Sequence, residues 1–133
     1  MPAAIESVLI DTCTFLWAIS SPGDLSEAAR STIAKNDVQI CVSVASLWEL
    51  CLKRNKGKLL VSDSDLQQGL RDLQSTTLAI FDTDVFTMNG LEESSTHKDP
   101  FDRIIVAQAL NRKLPLVSKD RKLRAYDKLH LIW

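Results

Sequence analysis

Short apolar runs closed by polar residues alternate along this chain with segments whose apolar positions recur at helical spacing. Ser7-Val8-Leu9-Ile10 is stopped by Asp11-Thr12 and reads as a buried strand. Thr12 is placed to cap a short helix through Phe15-Leu16-Trp17-Ala18, and Ser21-Pro22-Gly23-Asp24 breaks the chain after it. Residues 25–35 carry Leu25, Ala28, Ala29 and Ile33 on one helical face, with Ser26 as the cap. Val38-Gln39-Ile40-Cys41-Val42 is a second strand that runs directly into a helix over 43–53. Asn55-Lys56-Gly57-Lys58 ends that helix, with basic residues in the last turn and glycine after it. A polar-faced helix over 63–73, a strand near 77–81 and a helix near 82–91 follow. Asp99-Pro100 opens a helix over 101–112, and a strand over 114–118, a short helix over 121–126 and a last strand over 129–132 complete the pattern.

Strands alternating with helices in this rhythm predict an α/β domain with a mainly parallel sheet flanked by helices, whose ligands gather at the carboxyl ends of the strands. The chain has 133 residues and no repeat, low-complexity stretch or Gly/Ser linker, so one domain is expected to cover residues 1–133. Sixteen Lys and Arg against seventeen Asp and Glu leave a net charge of −1, which argues against coating nucleic acid by bulk charge but permits a local basic patch. Cys13, Cys41 and Cys51 are odd in number and unpaired in spacing, and only His97 and His130 could join them. Reduced, mostly buried thiols are expected, not a disulfide scaffold or a zinc site. No basic stretch precedes an apolar run at the start, and no apolar run approaches the roughly 18 residues of a membrane span. A soluble cytoplasmic protein is the expectation.

Four acids do not fit a solvated surface. Asp11 terminates the first strand, and Asp120 lies just past Val117-Ser118. Glu49 is embedded in an apolar helix beginning after the second strand, and Asp102 sits in the first turn of the helix that carries Ile104-Ile105-Val106-Ala107. Each has a plain structural reading. Asp99, Pro100 and Asp102 suit the N-cap, N1 and N3 positions; Ser46-Leu47-Trp48-Glu49 matches a capping box; Asp120 can start a helix. The joint reading is different, because strand ends and the starts of following helices share one edge of a parallel sheet. Converging carboxylates repel unless a cation neutralises them, and an all-oxygen set selects Mg²⁺ or Mn²⁺ over Zn²⁺. Such an ion is suited to phosphodiester cleavage.

Val8-Leu9-Ile10-Asp11-Thr12 with Leu16-Trp17 resembles the opening of a PIN domain. Ser43 to Leu50 with Lys53 and Gly57-Lys58-Leu59 resembles its second motif. His97-Lys98-Asp99-Pro100-Phe101-Asp102-Arg103 resembles its third, and Leu116-Val117-Ser118-Lys119-Asp120 its fourth. The nearest subgroup is the VapC-like toxins of type II toxin–antitoxin systems. The resemblance implies a three-layer domain acting as a Mg²⁺- or Mn²⁺-dependent endoribonuclease, dimeric, and inhibited by a VapB-like antitoxin peptide laid across the active-site groove. It assigns catalysis and metal binding to Asp11, Glu49, Asp102 and Asp120, with Thr12, Asp99 and Ser118 as supporting residues. Many relatives carry His where Cys13 stands here, which bears on substrate handling. Lys53, Arg54, Lys119 and Arg121 read by default as solvated surface, with contact to RNA phosphates as the functional alternative. Phe15, Trp17 and Trp48 read as core or dimer-interface residues before base-stacking platforms. Two rival functions stay open. A catalytically degenerate PIN domain would serve as a protein-interaction module, and a haloacid-dehalogenase-like phosphatase would need a second Asp where Cys13 stands.

Overall fold

The computed structural model describes residues 5–91 and 99–133. His97 and Lys98, from the third motif, lie outside the described residues. Five strands form one all-parallel sheet: β1 (Ser7–Ile10), β2 (Gln39–Ser43), β3 (Thr76–Leu78), β4 (Leu116–Val117) and β5 (Leu131–Ile132), in the order β3-β2-β1-β4-β5. Six α-helices flank it among the described residues: α1 (Thr12–Ser20), α2 (Glu27–Ala34), α3 (Val44–Asn55), α4 (Asp63–Asp72), α5 (Asp82–Gly90) and α6 (Pro100–Arg112).

β1 is central and buried on both faces, which is why it reads as an unbroken apolar run. Val8 and Ile10 point into one core with Phe15 of α1, Ala29 of α2, Leu50 of α3 and Leu66 of α4. Leu9 points the other way, into a second core with Ile105 and Val106 of α6, Leu116 of β4 and Leu123. Each fully buried aliphatic side chain contributes about 1.5–3 kcal/mol relative to exposure, so this strand is the spine of the molecule. Gly69 lets α4 lie against α1, because a Cβ there would stand 2.6 Å from Cγ2 of Ile19. Gly57 takes φ 73°, the left-handed turn anticipated after α3.

Several boundaries differ from the sequence reading, each for a local reason. Asp11, not Thr12, caps α1: its Oδ1 accepts from the Thr14 N–H at 2.9 Å, leaving the Thr12 hydroxyl to donate to Ser46 Oγ at 2.9 Å. Ser26 is the cap of α2 as read, so Leu25 lies before the helix. The Ser46–Glu49 capping box does not form, because the chain turns into α3 directly from β2 and Ser43 takes the cap. The strands expected near 77–81, 114–118 and 129–132 pair over fewer residues, and the short helix at 121–126 is a 3-10 turn over Arg121–Ala125. All three cysteines are free, yet only Cys41 is buried; Cys13 and Cys51 are half-buried, and Cys13 lines an open cleft.

Candidate active site

Asp11, Glu49, Asp102 and Asp120 line one cleft of ≈ 530 Å³ at the carboxyl edge of the sheet, together with Thr12, Cys13 and Asp99. β1 leads directly into Asp11, β2 feeds the helix that carries Glu49, and β4 ends three positions before Asp120. Parallel pairing brings all three ends to the same side, where α6 also starts. A larger hollow of ≈ 600 Å³ opens beside the start of β2, but its acids Glu6, Asp37 and Asp72 are exposed. Asp11 and Glu49 are both only 9% exposed.

Capping and convergence prove compatible for two of the four acids. Asp11 gives one oxygen to the start of α1, and Asp120 accepts from the Lys122 N–H at 3.0 Å at the head of the 3-10 turn. Asp99 caps α6, accepting from the Phe101 and Asp102 N–H groups at 2.8 and 3.2 Å. Glu49 caps nothing. Its Oε2 meets Lys53 Nζ at 3.1 Å, and its Oε1 is buried with no partner among the described residues. Such an orphaned acceptor costs free energy unless something fills the gap beside it.

The electrostatics expose the crowding. Burial first, and then the negative charges of Asp99, Glu49, Asp11 and Asp120, together push the Asp102 carboxyl up to about 7. Burial also raises Asp11, against hydrogen bonds from Ser118 and Thr14 that favour its charge, while Asp120 adds repulsion. Ser118 thus serves both acids, since its hydroxyl also accepts from the Asp120 N–H at 3.1 Å. Among the described residues no three His, Cys, Asp or Glu side chains close into a cage around a point. The donor set suits a hard cation that keeps much of its water and takes only one or two carboxylates directly, the usual habit of Mg²⁺. Glu49 Oε1 is the free donor such an ion would meet.

The family model for the PIN domain matches residues 8–129. The chain belongs to the PIN-domain family. It is similar to the protein named ribonuclease VapC22 from Mycobacterium tuberculosis, with 32% identity over 125 residues that span 92% of this chain and 93% of that one. The fold of this PIN domain is shared with a Klebsiella pneumoniae toxin–antitoxin complex (TM-score 0.64, 16% identity, 92% and 94% of the two chains covered). It is shared also with VapBC2 from Rickettsia felis bound to a promoter DNA fragment (TM-score 0.63, 19% identity, 94% and 96% covered). The family match sets aside the haloacid-dehalogenase-like alternative.

The cationic candidates divide. Lys53, Lys119 and Arg121 line the PIN cleft, joined by Lys122. Arg54 does not: it bonds Asp63 at 2.6 Å and the Val61 carbonyl at 3.3 Å, fastening the connection between α3 and α4. Phe15 is core, as read, and Trp17 is half-buried. Trp48 is 59% exposed and packs edge-on against Phe101 with ring centroids 5.0 Å apart. The interaction of Lys119 with an aromatic ring was not legible in the sequence, because its partner lies about a hundred positions away.

Proposed function

We propose that this PIN domain is a VapC-like toxin: a Mg²⁺- or Mn²⁺-dependent endoribonuclease that cleaves RNA phosphodiester bonds and is restrained by a VapB-like antitoxin. The observation that carries the reading is Asp102, half-buried among four other acids, with no hydrogen bond to its carboxylate among the described residues. A fold does not retain such a group for stability. The overall identity to a protein named as a ribonuclease supports the same reaction class. Asp11, Glu49, Asp102 and Asp120 would hold the ion. When bound, it supplies positive charge against the phosphodiester and acidifies water.

The chain's own groups prepare that chemistry. The Thr14 N–H and Ser118 hold the Asp11 carboxylate in place, and the Lys122 N–H fixes Asp120. Lys53, Lys119, Arg121 and Lys122 ring the acids with positive charge, which draws in a polyanion and suits an acidic or backbone-rich antitoxin segment equally well. Val44 and Trp48, exposed one turn apart on α3, favour a homodimer. Among the described residues no helix is long and apolar enough to cross a membrane, in keeping with action in the cytoplasm.

The test is cleavage of single-stranded and structured RNA by purified protein. Activity with Mg²⁺ or Mn²⁺, lost in EDTA and in Asp11→Asn, is the expected result. Undiminished cutting by a folded Asp11→Asn variant refutes the site, and absence of cutting by the wild type favours a PIN domain that only binds other proteins.

A further inference from the structure

Three side chains from three separate elements form a column at one wall of the cleft. Lys119 Nζ lies 4.7 Å from the centre of the Trp17 ring, and Trp17 in turn meets Trp133 with centroids 6.0 Å apart and planes tilted by 46°. Backbone geometry sets the column. The Ser118 N–H donates to the Ile132 carbonyl at 3.1 Å, the last bond between the β4 and β5 segments. Lys119 and Trp133 directly follow these two residues, so they leave the sheet side by side. Trp17 arrives from α1, the helix that Asp11 caps.

The position of the ammonium is unusual for its surroundings. Lys119 lines a cleft that holds five carboxylates, yet among the described residues it forms no ion pair. Lys53, by contrast, is engaged by Glu49 at 3.1 Å. An aromatic face holds a cation through its quadrupole without neutralising it, whereas a carboxylate would cancel the charge. An exposed lysine otherwise samples many rotamers, and the tryptophan limits them.

We propose that Lys119 is a phosphate-gripping residue of the site, taking hold of an RNA backbone phosphate next to the bond that is cut, and that Trp17 and Trp133 are positioning residues that keep its ammonium free and aimed. This deepens the ribonuclease reading and rests on it.

The test measures binding of a fluorescent single-stranded oligoribonucleotide in EDTA, so that nothing is cut, over a series of salt concentrations. Lys119→Ala is expected to bind about tenfold more weakly whatever the sequence, and to flatten the log–log salt slope by ~0.7, the share of one phosphate on a single strand. Trp17→Leu and Trp133→Leu should move both quantities the same way by less, and Trp17→Phe, which keeps a π face, should restore them. Trp17→Leu should add nothing in the Lys119→Ala background. In NMR spectra the Lys119 ε-protons should be shifted upfield by the ring in the wild type. Unchanged affinity and slope in Lys119→Ala overturn the proposal, as does an equal loss from Trp17→Leu with and without Lys119, the mark of a merely structural tryptophan. Because Lys119 is exposed, its variant tests the idea even if Trp17→Leu fails to fold. A wild type that cuts RNA beside an unaffected Lys119→Ala defeats this inference alone. A wild type that neither binds nor cuts RNA defeats the ribonuclease reading as well.

Discussion

Asp84 and Asp102 occupy the same local position, the third residue of a helix, where the positive end of the helix favours an acid. Their surroundings differ completely. Asp84 is 1% exposed and fully partnered. Arg112 reaches its two oxygens at 2.9 and 3.0 Å, Asn111 donates at 3.0 Å, and the Phe81 N–H donates at 2.9 Å. Burial alone would raise its pKa, but the bonds from Arg112, Phe81 and Asn111 outweigh that and hold the carboxyl below its usual range. Asp102 has burial and four like charges, which together raise it to about 7. One aspartate is a fastener between α5 and α6. The other is a store of repulsion that a bound cation would relieve. Being acidic and shielded at a helix start does not separate the two roles; the sign of what surrounds the carboxylate does.

The largest effect that could break this comparison is on activity. Asp102→Asn should lose cleavage by at least the roughly 100-fold that changes around a metal site cost, whereas Asp84→Asn should cut RNA at the wild-type rate wherever it remains folded. Equal losses in an RNA cleavage assay would erase the distinction. Stability should run the other way. Asp84→Asn leaves Arg112, 20% exposed, without its charge partner and should lose about 2–3 kcal/mol in urea denaturation. Asp102→Asn should instead raise the melting temperature of the metal-free protein.

The pH dependence sharpens the contrast. Asp102 is held up at about 7 against an ordinary 3.8, so the folded chain keeps a proton that the unfolded chain has lost. In EDTA, stability should therefore fall as pH rises from about 4 to about 7, and the fall should shrink in Asp102→Asn. Asp84 acts oppositely: its contribution is present above about 4 and is lost as pH drops through its lowered folded value. Thermal melts at pH 5 and pH 8 measure the difference, and a flat profile would contradict the crowding of the acids. Added Mn²⁺ should raise the melting temperature at pH 8 in a concentration-dependent way, and do so less in Asp102→Asn. The smallest effect belongs to the half-exposed Lys53–Glu49 pair. Lys53→Met should change metal-free stability by only about 0.5 kcal/mol on calorimetry.

Much of this was legible in the sequence because two signals act locally. Apolar runs against helical spacing gave the order of the elements, and the rule that ligands gather at strand ends singled out Asp11, Glu49, Asp102 and Asp120. What escaped depends on residues that meet only in the fold. Asp84 drew no notice because Asn111 and Arg112 lie 27 and 28 positions away. Arg54 reads as a candidate RNA contact in the sequence, yet Asp63 holds it in the fold, and Trp133 gives no hint of Trp17. The Ser46–Glu49 pattern misled for a subtler reason. It matches a capping box in spelling, but the preceding strand runs on to Ser43 and leaves no extended residue at Ser46 to serve as a cap.

The position of β4 has a consequence for how the protein is made. Ile10 pairs with Val117, so the first and last carboxylates of the site meet only when segments more than a hundred positions apart close side by side. Contacts of such long range form late. A nascent chain that has emerged only through α6 carries Asp11, Glu49 and Asp102 without Asp120, and lacks the strand that brings Ser118 against Asp11. The cleft is thereby completed only after most of the chain has left the ribosome, and its first three carboxylates wait for the fourth.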